Sequence, residues 1–299
     1  MNNKRKLFIQ AIIILILTFF AVLFINNLVI NLSRIGLNLN FNWLLKPASF
    51  SLAEYSLSFN SSNSYAWALF IGWLNSLKVI FSSLLIATII GIFIAFARAS
   101  KNPLLGIISS SYITIIRQTP LLLQLLFWYF VGFLGLQLNT FSFFKSFIIL
   151  SNQGIKFANL SISSEFAALL FGLSIFTSAF ISEVIRGGIF SVSQGQWEAF
   201  RSLGISESKG LITIIMPQAL PAILPGLTSQ YLNLAKNSTL AIAVGYSDIY
   251  AINDTIINQT GRAIECFLIL LISFLLLNLL ITNTMEILNK LIINKRKYL

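Results

Sequence analysis

The sequence has no histidine, one cysteine, and only nine acidic residues against twenty lysines and arginines in 299 positions. Without histidine the commonest metal ligand and general base is missing, and Cys266 alone can form neither an internal disulfide nor a cysteine metal site. Paired carboxylates, a G-x-S-x-G nucleophile turn and a G-x-x-x-x-G-K-[ST] phosphate loop are also lacking, which removes the usual hydrolytic and nucleotide-binding toolkits. Charged residues make up only 10% of the chain and hydrophobic residues 57%, far from the averages of soluble domains. This composition reads as an integral membrane protein, and its long apolar runs make it all-α.

A net charge of +11 raises the possibility of nucleic-acid binding, but the distribution of the cations argues against it. They cluster at the ends of hydrophobic runs: Lys4, Arg5 and Lys6; Arg98 and Lys101; Arg201 and Lys209; Lys290, Lys295, Arg296 and Lys297. Such flanking cations hold loops on the cytoplasmic side of a bilayer.

Crossing roughly 30 Å of hydrocarbon takes about 20 mostly apolar residues. Six segments qualify, at about Leu7–Ile30, Ile71–Ala97, Leu104–Leu136, Phe166–Ile189, Leu211–Leu234 and Ala263–Leu288. The first is roughly twice the length of a 7–15-residue signal-peptide core and is not followed by a small-residue cleavage site, so it reads as a retained span. An even number of spans with basic ends predicts a multi-pass membrane protein with both termini cytoplasmic. The expected divisions are residues 1–70, an N-terminal span plus an extracytoplasmic loop; 71–290, the transmembrane domain with a cytoplasmic loop at 190–217; and 291–299, a basic tail. Stretches Asn31–Phe70, Gln137–Glu165 and about Gly245–Arg262 fall outside, and neither of the first two reads as a folded domain. Lys78, near the outer end of the second span, is expected to snorkel.

Two spans carry breaks. Pro120 disfavours helix at Thr119 and removes a backbone donor, which predicts a kink in the third span. Pro217, Pro221 and Pro225 recur at i, i+4 on one face of the fifth, which predicts a bent helix. Broken helices are tolerated at membrane depth only where protein or a water-filled cavity satisfies the freed backbone groups.

Between the fourth and fifth spans lies EAFRSLGISESKGLITIIMP, Glu198 to Pro217. Gly195 is expected to separate the fourth span from a short helix, about Gln196–Leu203. Gly204 would end that helix in the left-handed conformation, and Ser206 would cap the next one. Trp197, Phe200 or Arg201, and Gly204 then share a face, giving an apolar knob edged by charge for a groove on another protein. An amphipathic helix resting in the headgroups is the alternative.

Glu198, Ala199, Gly204, Ile214 and Pro217 fall at the spacing E-A-A-x3-G-x9-I-x-L-P, with Phe200 in place of the second Ala and Met216 in place of Leu. The segment resembles the loop of bacterial ABC-importer permeases that docks on the ATPase. Arg117-Gln118-Thr119-Pro120-Leu121-Leu122-Leu123-Gln124-Leu125 resembles the R-x-TPLL-x-QL signature of the polar amino-acid branch. TSAFISEVIRGGI at Thr177–Ile189 and GQWEA at Gly195–Ala199 are similar to that group's approach to the docking helix. SQYLNLAKNSTLAIAVGY at Ser229–Tyr246 is similar to the general L-amino-acid branch.

The resemblance implies an ABC type I importer permease of a bacterial cytoplasmic (inner) membrane, with about six transmembrane helices and a cytoplasmic coupling helix. Trp197, Glu198, Ala199, Phe200, Arg201, Gly204 and Pro217 would couple it to an ATPase dimer. That partner, not this chain, would hold ATP and Mg, so no cofactor is expected here and the chain is not itself an enzyme. The other implied partners are an extracytoplasmic amino-acid-binding protein, the lipid bilayer, and a second related permease, favoured over a homodimer. A secondary transporter driven by an ion gradient is the alternative.

Ionisable groups at depth are costly and need a partner or water. Arg117, Gln118, Thr119 and Gln124 can donate to a substrate carboxylate, Glu183 can accept from an ammonium, and Asn237 and Ser238 can do either; with Pro120 and Lys236 they are the candidate translocation path. The competing assignments are a Glu183–Arg186 salt bridge at i, i+3 and interhelical hydrogen bonds for Gln124 and Asn237. No metal site is expected.

Overall fold

The structure, a computed structural model, describes residues 3–34, 39–54, 56–100, 102–136, 141–143, 148–157 and 160–296. Lys101, Tyr55 and Lys297 lie outside them. The chain divides into two compact units, Met1–Leu44 and Leu45–Leu299. The first unit is dominated by α1, Asn3–Arg34, in which Phe8–Asn31 is long and apolar enough to cross a membrane.

The second unit is built on α2 (Tyr65–Ala99), α5 (Ser164–Phe190), α8 (Met216–Asn237) and α10 (Ala263–Arg296). One apolar cluster joins all four through Ile80, Leu84, Ile181, Ile185, Ile223, Leu234, Leu277 and Ile281. Among the described residues, five stretches are long and apolar enough to cross a membrane, and α3 (Pro103–Gln118) with the segment Leu121–Leu136 makes a sixth if the two arms count as one span. That pair turns through 104°, so the expected kink is a corner. Each arm is about 24 Å by helical rise, short of the roughly 30 Å hydrocarbon thickness on its own. The second arm opens as α4, Leu121–Leu126, and continues as a π-helical turn, Phe127–Phe133.

α8 runs continuously through Pro221 and Pro225, with Pro217 in its first turn, where a missing N–H is tolerated. A π-helical turn, Leu211–Ile215, precedes it.

The loops between spans are more ordered than the sequence implies. A four-stranded antiparallel meander, β1 (Phe141–Phe143), β2 (Ile148–Ser151), β3 (Gly154–Phe157) and β4 (Leu160–Ile162), follows the bent pair. Leu150, Ile155 and Ile162 pack on Phe133, Ala167 and Ala168 at the start of α5. Residues 45–54 and 56–64 form a strap across α2. Glu54 pairs with Lys78 (3.1 Å) and accepts from Ser163 Oγ (2.5 Å), the N-cap of α5, while its carbonyl accepts from Asn75 Nδ2 (3.1 Å). Lys78 is therefore held by a carboxylate and by the Phe166 ring, 4.5 Å away, and does not simply snorkel. Neither feature is legible from residue pattern, because both depend on partners distant in sequence.

Where an outer loop is expected, residues Ile249–Thr260 form α9, too short to span and buried along Ile249, Ile252 and Ile256. Its N-cap, Asp248, accepts from Ala251 N (2.8 Å), and Ser76 Oγ accepts from Ile249 N (3.1 Å). Burial raises the Asp248 carboxyl to about 7, against an ordinary value of 3.8. Folded Asp248 holds its proton where the unfolded chain has lost it, so its contribution to stability is full below the ordinary value and is lost as pH rises through about 7. Asp248→Asn keeps the capping oxygen, so melting in detergent is expected to lose the part of its pH dependence lying between the two values. A wild-type melting temperature that does not fall across that window contradicts the assignment.

Candidate functional site: the surface helix and the α3–α4 corner

α6, Gln194–Ser202, starts two residues earlier than Gly195 suggests, with Ser193 as its N-cap, so Gly195 lies inside its first turn. Its end is a Schellman turn: Ile205 N donates to Phe200 O (3.1 Å), Gly204 N donates to Arg201 O (3.0 Å), and Gly204 has φ +70°. Ser206 caps the short α7, Glu207–Gly210, by backbone conformation, without a side-chain bond.

The expected knob is rearranged. Phe200 is 1% exposed and belongs to the core cluster, and a Cβ at Gly210 would come within 2.4 Å of its ring. The ring needs a pocket, and this chain supplies it: glycine at position 210 lets the ring seat flat on the next helical turn. Phe200 therefore faces inward, not toward a partner, because burying an aromatic face in its own core is available without any other chain. The exposed apolar residue is Leu203, at 77%, which the sequence reading missed. Glu198, Ala199 and Ser202 are exposed beside it.

Further ties fix α6. Arg201 pairs with Glu207 (2.9 Å) and stacks over Trp197 (5.5 Å), while Gln218 of α8 donates to Gln196 Oε1 (3.1 Å). A cavity of about 870 Å³ lies beside it, walled by Phe96, Ile189, Trp197, Arg201, Leu211 and Ile212. Pro217 is exposed at the start of α8.

The α3–α4 corner has its own closure. In a continuous helix residue 120 would donate to the Ile116 carbonyl, but Pro120 has no N–H. Gln124 replaces that donor: its Nε2 reaches Ile116 O (2.9 Å), Thr119 O (3.2 Å) and Thr119 Oγ1 (2.7 Å). Leu121 and Leu125 then pack with Leu169 and Leu173 of α5 and with Ala241 and Val244 of the 3-10 turn Ser238–Val244. The two predicted polar segments, 117–120 and 236–238, thus flank one apolar cluster. Arg117 and Gln118 are exposed, and Arg117 lies 5.0 Å from the Phe180 ring of α5. Lys236 is exposed, Asn237 half-buried, and Ser238 is buried with its hydroxyl on Ala235 O (2.9 Å).

Glu183 pairs with Arg186 on its own helix (3.0 Å) and also with Arg98 at the end of α2. The local pair was legible from spacing. Arg98 was seen only as a flanking cation, because no local pattern links α2 to α5.

A bundle of membrane-length helices whose loop carries a surface helix keyed into the core defines a polytopic membrane subunit shaped to engage a neighbour. The chain belongs to the family described as binding-protein-dependent transport system inner membrane component, whose profile matches residues 87–294; α6 is its coupling helix and Glu198–Pro217 its EAA loop. It is 31% identical to the general L-amino acid transport system permease protein AapQ of Rhizobium johnstonii, covering 92% of this chain and 89% of the relative. A solved amino acid ABC transporter chain superposes with a TM-score of 0.60 at 30% identity, over 76% of this chain and 94% of that one. A chain of the MetNI methionine ABC transporter superposes equally well, with a TM-score of 0.60 over 76% of this chain and 96% of its own; at 18% identity it bears on the fold alone.

Gln124→Leu keeps the volume but removes the closer donor from the Ile116 carbonyl, leaving it the Thr119 hydroxyl at 3.2 Å, and strips the Thr119 carbonyl and hydroxyl of the same amide; it should cost about 1 kcal/mol. A lower melting midpoint of the detergent-solubilised protein is expected; an unchanged midpoint contradicts the role given to Gln124.

Proposed function

We propose that this chain is the permease subunit of an ATP-driven importer that passes L-amino acids from an extracytoplasmic binding protein to the cytoplasm. The observation that carries this reading is α6 itself, a surface helix that presents Glu198, Ala199, Ser202 and Leu203 outward while Phe200 is locked into the bundle core. A partner gripping that surface moves the bundle with it. The partner is an ABC ATPase dimer that holds ATP and Mg. The side bearing α6 is cytoplasmic, and so are both termini.

Alternating access needs two halves around one path. The second half is a related permease. The candidate path comprises the Arg117–Pro120 corner with Gln124, the Lys236–Ser238 segment, and Glu183. Supporting it, Arg117 and Gln118 are exposed at the end of one arm of the bent pair and Lys236 on a helix of membrane length, where charge facing lipid is disfavoured. Pro221 and Pro225 also lack the N–H that would reach the carbonyls four residues before them in α8, which suits a face turned to water or protein. The amino-acid cargo follows from the likeness to the general L-amino acid permease and to the solved amino acid transporter.

Leu203→Cys, in a Cys266→Ser background, is expected to crosslink to the ATPase subunit in the assembled complex. Uptake into vesicles should stop on ATP depletion and survive collapse of ion gradients. No crosslink in an import-competent complex, or uptake that follows a gradient, overturns the reading and favours the secondary transporter.

A further inference from the structure

We propose that Arg98 and Arg186, both paired with the carboxylate of Glu183, and Arg117, on the Phe180 ring one helical turn away, form an oxyanion station in the translocation path that favours acidic amino acids over cationic ones. The inference rests on the proposed amino-acid import and adds a charge preference intrinsic to this subunit.

Three helices contribute. Arg98 ends α2, Arg117 ends α3, and Glu183 and Arg186 lie on α5. Glu183 contacts both Arg98 and Arg186, and Arg117 lies over Phe180, one turn from Glu183. Three guanidinium charges against one carboxylate leave two positive charges uncompensated. The Glu183 oxygens are already committed to two arginines, so this carboxylate orients guanidiniums and does not stand free for a substrate ammonium.

The side chains remain reachable: Arg98 is 29% exposed, Arg186 35% and Glu183 22%. Arg117 is exposed and has no carboxylate partner among the described residues. Glu183 sits about two helical turns before the end of α5, in a stretch long and apolar enough to cross the membrane. Exposed charge at that depth faces water or protein, not lipid tails. Guanidinium forks match carboxylate geometry and remain charged at any working pH. A cargo bearing a second carboxylate gains from this field, and a cargo bearing a second cation is repelled.

Equilibrium binding of radiolabelled glutamate, glutamine and arginine to the purified permease–ATPase complex, without binding protein, tests the station directly. Wild type should bind glutamate more tightly than arginine. Arg117→Gln should lower the preference for glutamate over glutamine by about tenfold, the scale of one removed charge at short range, and Arg117→Lys should retain it. Equal binding of glutamate and arginine by wild type, or no binding of either, overturns the station, and wild type alone decides this if the variants fail to fold. A preference unmoved by Arg117→Gln overturns it as well. Because phosphate is also an oxyanion, binding is compared in phosphatidylcholine nanodiscs with and without phosphatidylglycerol; glutamate binding that vanishes with the anionic lipid assigns the arginines to headgroups and overturns the proposal. ATP-dependent import of glutamine by the complete system would leave the import reading standing in each failure, whereas absence of any amino-acid import would bring down both.

Discussion

The seating of the Phe200 ring on Gly210 fixes how this protein can work. A nine-residue helix on the membrane surface has too little area of its own to hold a position. Driving one aromatic ring into the cluster shared by α2, α5, α8 and α10 makes the helix part of the bundle. Around that anchor, the Schellman turn at Gly204, the Arg201–Glu207 pair and the Gln196–Gln218 bond fix the orientation of α6. Dispersion contacts supply the holding force and polar contacts the alignment. The opposite face, with Glu198, Ala199, Ser202 and Leu203, is exposed.

The second constraint is backbone satisfaction at membrane depth. Pro120 frees a carbonyl at Ile116, and Gln124, four residues on, supplies the missing donor and permits a 104° corner. The amide expected from the sequence among the path residues therefore has a structural task at the α3–α4 corner. Charges obey the same logic. Glu183 draws Arg98 from α2 and Arg186 from its own helix, which links two long spans while keeping positive charge near the proposed route.

Much of this was readable beforehand because the signals are local. Gly204 at the end of a short helix, the break at Thr119-Pro120, the Glu183–Arg186 spacing and the apolar runs of the spans each depend on residues within one or two turns. What escaped depends on residues far apart in the chain. Phe200 was placed outward because helical periodicity gives faces and not neighbours, and nothing local indicated that Gly210 would make room for its ring. Arg98 was passed over for the same reason. The strap across α2, held by Glu54 to Lys78 and Ser163, and α9 behind its buried Asp248 cap also lack a local pattern strong enough to announce them.

The central claim is that α6 transmits force because Phe200 is anchored in the bundle. Replacing Phe200 with Ala and measuring import together with ATP hydrolysis in the reconstituted complex tests this most directly. The account predicts a complex that still assembles and hydrolyses ATP but imports far less substrate per ATP. Import and hydrolysis that remain coupled at the wild-type ratio would contradict it.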